Sequence, residues 1–174
     1  MIDKKILTDN SLYSGVVKMP KGFEILPFEL KGVILESEKN NTSIKNCKSL
    51  FKLNTYIIDF LRIKYNLDLV DKEFLGNYYK PQEITKNISQ INYSQISENP
   101  SHVMLYGVQA IDCFVRIHYQ DLRSAPMFLD AQLKNNEFLF FPANLQYQIS
   151  NMQTRENNFI QTITYNVFNN GGGI

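Results

Sequence analysis

Residues 136–150, NEFLFFPANLQYQIS, and 158–168, NFIQTITYNVF, decide the fold. Glu137 to Phe141, Leu145 to Ser150 and Phe159 to Phe168 are apolar or alternating over strand length, and Pro142-Ala143-Asn144 breaks the first two apart. Asn151 to Asn158 is polar and has the length of a hairpin connection, so three consecutive strands are predicted. Phe138, Phe140, Leu145, Tyr147, Ile163 and Tyr165 fall at alternating positions and are expected in the core.

Upstream, the same period continues. Lys134-Asn135-Asn136 turns back to Met127 to Leu133, and Asp121 to Pro126 separates that run from Ile111 to Tyr119. Gln109-Ala110 is read as a hairpin turn between Ile111 to Tyr119 and Val103 to Val108. Ile84 to Tyr93 and Phe74 to Tyr79 precede them, the latter stopped by Lys80-Pro81. About seven or eight short strands with turns every eight to twelve residues have the spacing of a sandwich or barrel.

Before Leu67 the period is helical. Leu50, Leu53, Ile57 and Leu61 recur on one face of a helix from about Cys47 to Tyr65, which Asn66 can end. A shorter helix opens at Pro27 with Phe28, Leu30, Val33 and Ile34 apolar, ahead of a polar loop from Glu36 to Lys45. Two extended segments, Lys4 to Thr8 and Leu12 to Met19, come first. The expected class is α+β, mainly β, with the two helices packed on one sheet. A single domain over 1–174 is expected: strands and helices over 1–66, a strand core over 67–168 and a flexible Gly-rich tail over 169–174.

The composition narrows the function. At 174 residues with 44% hydrophobic side chains the chain can bury a core without staples. A formal charge of +1, with no basic run, argues against nucleic acid. Cys47 and Cys113 have no metal-ligand spacing and suit a reducing compartment. No segment reads as a signal peptide or a membrane span. Sequons at Asn40, Asn41, Asn87 and Asn92 read as chance in an Asn-rich chain. Phosphate-binding Gly loops, a nucleophile elbow and His-Glu-X-X-His are absent.

Glu137 to Pro142, Leu145 to Asn151 and Ile160 to Asn166 together resemble the last strands of the double-stranded β-helix, a jelly-roll-like fold, of iron/2-oxoglutarate oxygenases. They are similar in particular to the small oxygenase-like proteins of marine tailed phages, and Gly76 to Pro81 resembles the first core strand. The resemblance implies two His and one carboxylate on one face of an iron ion, leaving positions for cosubstrate and oxygen. It places the first His and the carboxylate, two residues apart, in Gln82 to Gln90, where Glu83 stands without His or Asp. It places the distal His at Tyr147 and the Arg for the cosubstrate carboxylate at about Ile160. Every signature position is substituted.

Other residues could form a site. His102, His118 and Asp121 are the metal candidates, against the reading of both histidines as surface or strand-end residues. Asp112, Arg116 and His118 share one strand face, either as a polar cluster in a barrel mouth or as part of a surface ion pair. Cys113 points the other way and reads as core. Any two of Glu83, Asp112, Asp121 and Asp130 could meet as paired carboxylates. A degenerate iron site would be filled by Tyr147 and lined by Ile160, Thr162 and Thr164, with Arg116 the candidate replacement for the lost Arg.

Two readings follow. The preferred one is a non-catalytic β-helix binding or assembly module without a cofactor, a phage virion or accessory component that contacts phage structural proteins or itself. Tyr78, Tyr79, Tyr93, Tyr106, Tyr119, Tyr147 and Tyr165 are the candidates for its contact surface, against the reading of most of them as core or strand-pairing residues. The alternative is an iron(II)/2-oxoglutarate-dependent oxygenase with rearranged ligands. Host cytoplasm or virion is the expected location, with neither nucleic acid nor membrane as partner.

Overall fold

A computed structural model describes residues 3–7, 10–40, 47–121 and 123–167. The predicted tail lies outside the described residues. In chain order the elements are β1 (Asp3–Leu7), β2 (Asn10–Val16), α1 (Pro27–Asn40), α2 (Lys48–Tyr65), β3 (Leu69–Tyr79), β4 (His102–Gln109), β5 (Cys113–Gln120), β6 (Pro126–Leu133), β7 (Glu137–Pro142), β8 (Gln146–Asn151) and β9 (Asn158–Val167).

The strands form two sheets, a six-stranded one in the order β1-β2-β7-β4-β9-β3 and a three-stranded one in the order β6-β5-β8. Every pairing is antiparallel. Residues 82–91 run beside β8 through isolated bridges at Ile84–Ser150 and Ile88–Tyr147, so the predicted strand from Ile84 to Tyr93 survives as two contacts. This is the jelly roll expected from the sequence. Its connections differ from the expected hairpins, however: β4 and β5 lie in different sheets, as do β8 and β9. The chain crosses between sheets at both places. Asp112, with φ 45°, takes the left-handed conformation at the first crossing, a step that the Gln109-Ala110 turn reading missed.

Alternation sends the side chains of the large sheet's central strands into one of two cores, and the small sheet gives its inner face to the second. Leu105, Cys113, Val115, Ile117, Leu139, Phe141, Tyr147, Ile149 and Ile160 fill the space between the sheets. Met104, Tyr106, Phe138, Phe140, Ile163 and Tyr165 face the helices. The six residues expected to be core are all buried, yet they divide between these two layers.

The large sheet's outer face is covered by α1 and α2. Leu53, Ile57 and Leu61 of α2 are fully buried there, each contributing about 1.5–3 kcal/mol of apolar burial. Asn66, with φ 54°, ends α2 in the left-handed region, and its N–H donates to the Arg62 carbonyl. Most polar groups in this layer are paired, because an unpaired one would cost about 1–3 kcal/mol, and Gln161 Oε1 is an exception. Asn54 Nδ2 donates to Asp71, and its Oδ1 accepts from the Tyr165 hydroxyl at 2.9 Å.

Candidate functional site

The fold brings Ile88, Gln90, Tyr147, Ile160, Thr162 and Thr164 to the inner faces of the two sheets. Ile88 and Tyr147 exchange both backbone hydrogen bonds, 2.7 and 3.1 Å, so their side chains share one face. Ile88 packs into the core between the sheets, and Gln90, two residues on, donates through Nε2 to the Tyr147 hydroxyl at 2.9 Å. Tyr147 is 2% exposed and packs edge-on against Phe141. Burial pushes its phenol up to about 12, partly offset by the Gln90 hydrogen bond. From the facing sheet, alternation along β9 turns Ile160, Thr162 and Thr164 inward, all buried. Thr164 Oγ1 has no hydrogen-bond partner.

These positions are the ones where the oxygenase resemblance implies iron and cosubstrate. Ile88 and Gln90 are a two-apart pair opposite Tyr147, and Ile160 stands at the implied Arg. An isoleucine side chain has no donor atom, a carboxamide oxygen is neutral, and a phenol held protonated by burial is a poor anionic ligand. With Ile160 there is also no charge to fix a carboxylate. This donor set does not fit iron(II) with 2-oxoglutarate. Among the described residues, no three or more His, Cys, Asp and Glu side chains cluster as metal ligands.

The structure does not assemble the other candidates. His102 lies on the helix-facing side of the large sheet, its ring stacked on Phe140 at 4.8 Å and 7°. Burial lowers its pKa from 6.5 to about 4, and its Nδ1 is 3.1 Å from the Ser101 hydroxyl. His118 shares the outer face of the small sheet with Arg116, so the whole inter-sheet core separates it from His102. Asp121 accepts hydrogen bonds from the Ala125 and Arg123 backbone N–H groups, which hold its carboxyl below the usual range. The set His102, His118 and Asp121 is therefore no metal site.

Arg116 is not in the pocket either. It makes a bidentate ion pair with Asp130, 2.7 and 2.8 Å, and its guanidinium lies 4.5 Å from the Phe128 ring centre. Arg116 is thus in a surface ion pair as expected, but its partner is Asp130 and not Asp112, which precedes β5 in the left-handed conformation. Asp112 accepts from Gln153 Nε2, and Glu83 accepts from the Lys80 N–H, each apart from the Asp130 pair. Cys113 is buried, which pushes its thiol up to about 12. The candidate tyrosine surface is also corrected: Tyr79, Tyr106, Tyr147 and Tyr165 are buried, because each occupies an inward position of its strand, while Tyr93 is exposed.

Sequence reasoning confined the implied pair to Gln82–Gln90 without singling out Ile88 and Gln90. The usable signal was their two-residue spacing, but only the bridge to Tyr147 reveals which two residues face inward.

No family model matches the sequence, and no curated protein matches it. Solved structures do. The non-heme alpha-ketoglutarate-dependent epimerase SnoN from nogalamycin biosynthesis superimposes with a TM-score of 0.62 at 8% identity, over 88% of this chain and 76% of that one. A Pseudomonas putida prolyl-4-hydroxylase gives 0.58 at 9% identity, over 89% and 91%. A viral collagen prolyl hydroxylase from Paramecium Bursaria Chlorella virus-1 gives 0.56 at 10% identity, over 87% and 94%. The chain thus has the double-stranded β-helix fold of the 2-oxoglutarate/iron oxygenases. At 8–10% identity these likenesses show the fold and not an activity.

Proposed function

We propose that the chain is a binding module on the oxygenase fold, without iron/2-oxoglutarate chemistry of its own. One observation carries the reading: Ile88 and Gln90 pair with Tyr147, and Ile160 shares the core between the sheets, where two imidazoles, a carboxylate and a guanidinium are implied. Fold does not override this, because function resides in the site. A role in a phage particle or its accessory machinery rests on the sequence resemblance and, more weakly, on the viral origin of one structural neighbour.

The alternative keeps a specific support, since the solved structures named above are oxygenases of this fold. Metal analysis and calorimetry separate the two readings. The purified protein is expected to hold no stoichiometric iron, to release no heat with 2-oxoglutarate and to form no succinate with iron and ascorbate. Stoichiometric iron together with 2-oxoglutarate turnover would overturn the module reading.

A further inference from the structure

An apolar concavity lies along the solvent side of α2, lined by none of the residues of the oxygenase-like site. It is a groove of about 970 Å³ between α2 and residues 19–23, with Met19, Phe23, Phe51, Tyr56, Phe60 and Ile63 along it. Phe23 is 60% exposed, Phe51 72% and Ile63 85%, so apolar side chains that would favour a core stand in solvent. Contiguous patches of this kind mark interaction sites.

The charges around the groove select the occupant. Lys48 and Lys52 line it, and Lys64 Nζ sits 5.4 Å from the Phe60 ring centre. Asp59 is the lone carboxylate among the lining residues and is already 3.6 Å from Arg62. Glu24 and Glu29 stand beside Lys52 and Lys48, but their carboxylates already accept hydrogen bonds from the Gly22 N–H and from the Lys48 N–H and Ser49 hydroxyl, so the rim is basic on balance around an aromatic floor. Two copies of this chain would bring lysines against lysines, which disfavours self-pairing. A bilayer is flat, whereas this surface is a trough beside an 18-residue helix about 27 Å long.

We propose that the groove docks an acidic amphipathic helix of another protein, with apolar side chains on the Phe51–Phe60 floor and carboxylates against Lys48, Lys52 and Lys64. The inference rests on the binding-module reading. It is tested by peptide binding rather than by 2-oxoglutarate turnover, so the two can fail separately.

The probe is a labelled helical peptide of about 18 residues, Leu at i, i+3, i+4 and i+7 and Glu elsewhere, beside a counterpart with Lys for Glu. Fluorescence anisotropy with the full chain is expected to show binding of the Glu peptide that weakens with salt, and none of the Lys peptide. Phe51→Glu should weaken it about tenfold. Lys48→Glu with Lys52→Glu should invert the preference toward the Lys peptide. Equal binding of both peptides, or of neither, would overturn the proposal. So would a chain that dimerises through Phe51, one that binds anionic vesicles but no peptide, or Glu-peptide binding that appears only after residues 168–174 are deleted.

Discussion

Gln90 reaches across from residues 82–91 to donate a hydrogen bond to the Tyr147 hydroxyl, joining two neutral side chains where the sequence resemblance implies a ligand pair. The contact is structural. Tyr147→Phe removes its acceptor and should cost about 0.5–1.5 kcal/mol in denaturant unfolding, the ordinary worth of a hydrogen bond, with no change in iron content. A loss of bound iron in this variant would instead make the phenol a ligand.

At Gly76 on β3 the large sheet comes close to α1: a Cβ there would sit 2.4 Å from Ile34 Cγ1. Gly76→Ala is therefore expected to cost about 1–3 kcal/mol through overpacking. Ile34→Ala makes room at its own cost of about 2–5 kcal/mol. In a double-mutant cycle the pair should lose less than the sum of the singles, since the smaller side chain relieves the clash. Strict additivity would mean that α1 shifts freely away from β3.

His102 gives the fold a pH dependence of definite sign. Buried on Phe140, it is neutral in the folded chain down to about pH 4, while the unfolded chain protonates it near 6.5. The unfolded state thus binds more protons between those values. Stability is fully present above about 6.5, falls as the pH drops toward 4, and levels off below it, by on the order of 3 kcal/mol from this group. Carboxylates add their own acid dependence, so the test is a difference. His102→Phe, which keeps a stacked ring, should lose less stability than the wild type between pH 7 and pH 4; identical losses would mean that His102 protonates in place.

Helix and strand periods were legible because each follows from one face being buried. Leu50, Leu53, Ile57 and Leu61 mark α2 unambiguously, and the unbroken apolar run Phe138 to Phe141, of strand length, marks β7. Which sheet a strand joins is another matter. Phe140 and Phe141 are equally apolar, yet one meets the helices and the other the inter-sheet core, so both faces of the large sheet read alike. That double burial hid the crossings between sheets and made β4 and β5 look like a hairpin. Tyr147 and Ile160 were expected to face inward and are buried between the sheets, whereas the place of Arg116 could not be read, since its partner Asp130 is fixed by β5–β6 register rather than by sequence spacing.

If the iron site was lost by side-chain substitution on an intact frame, restoring the side chains should restore metal binding. Ile88 and Gln90 have the two-residue spacing of the implied pair and face Tyr147, so Ile88→His, Gln90→Asp and Tyr147→His together place two imidazoles and a carboxylate on one side of a common point. The triple variant, checked for folding by circular dichroism, is expected to bind one cobalt(II) with visible d–d absorption, while the wild type and each single substitution give none. Adding Ile160→Arg should then allow 2-oxoglutarate to perturb the cobalt spectrum, because the guanidinium supplies the carboxylate anchor now missing. A folded triple variant that leaves cobalt unbound would show that residues 82–91 do not hold these positions in ligand geometry, and the loss would lie in the backbone rather than in the side chains.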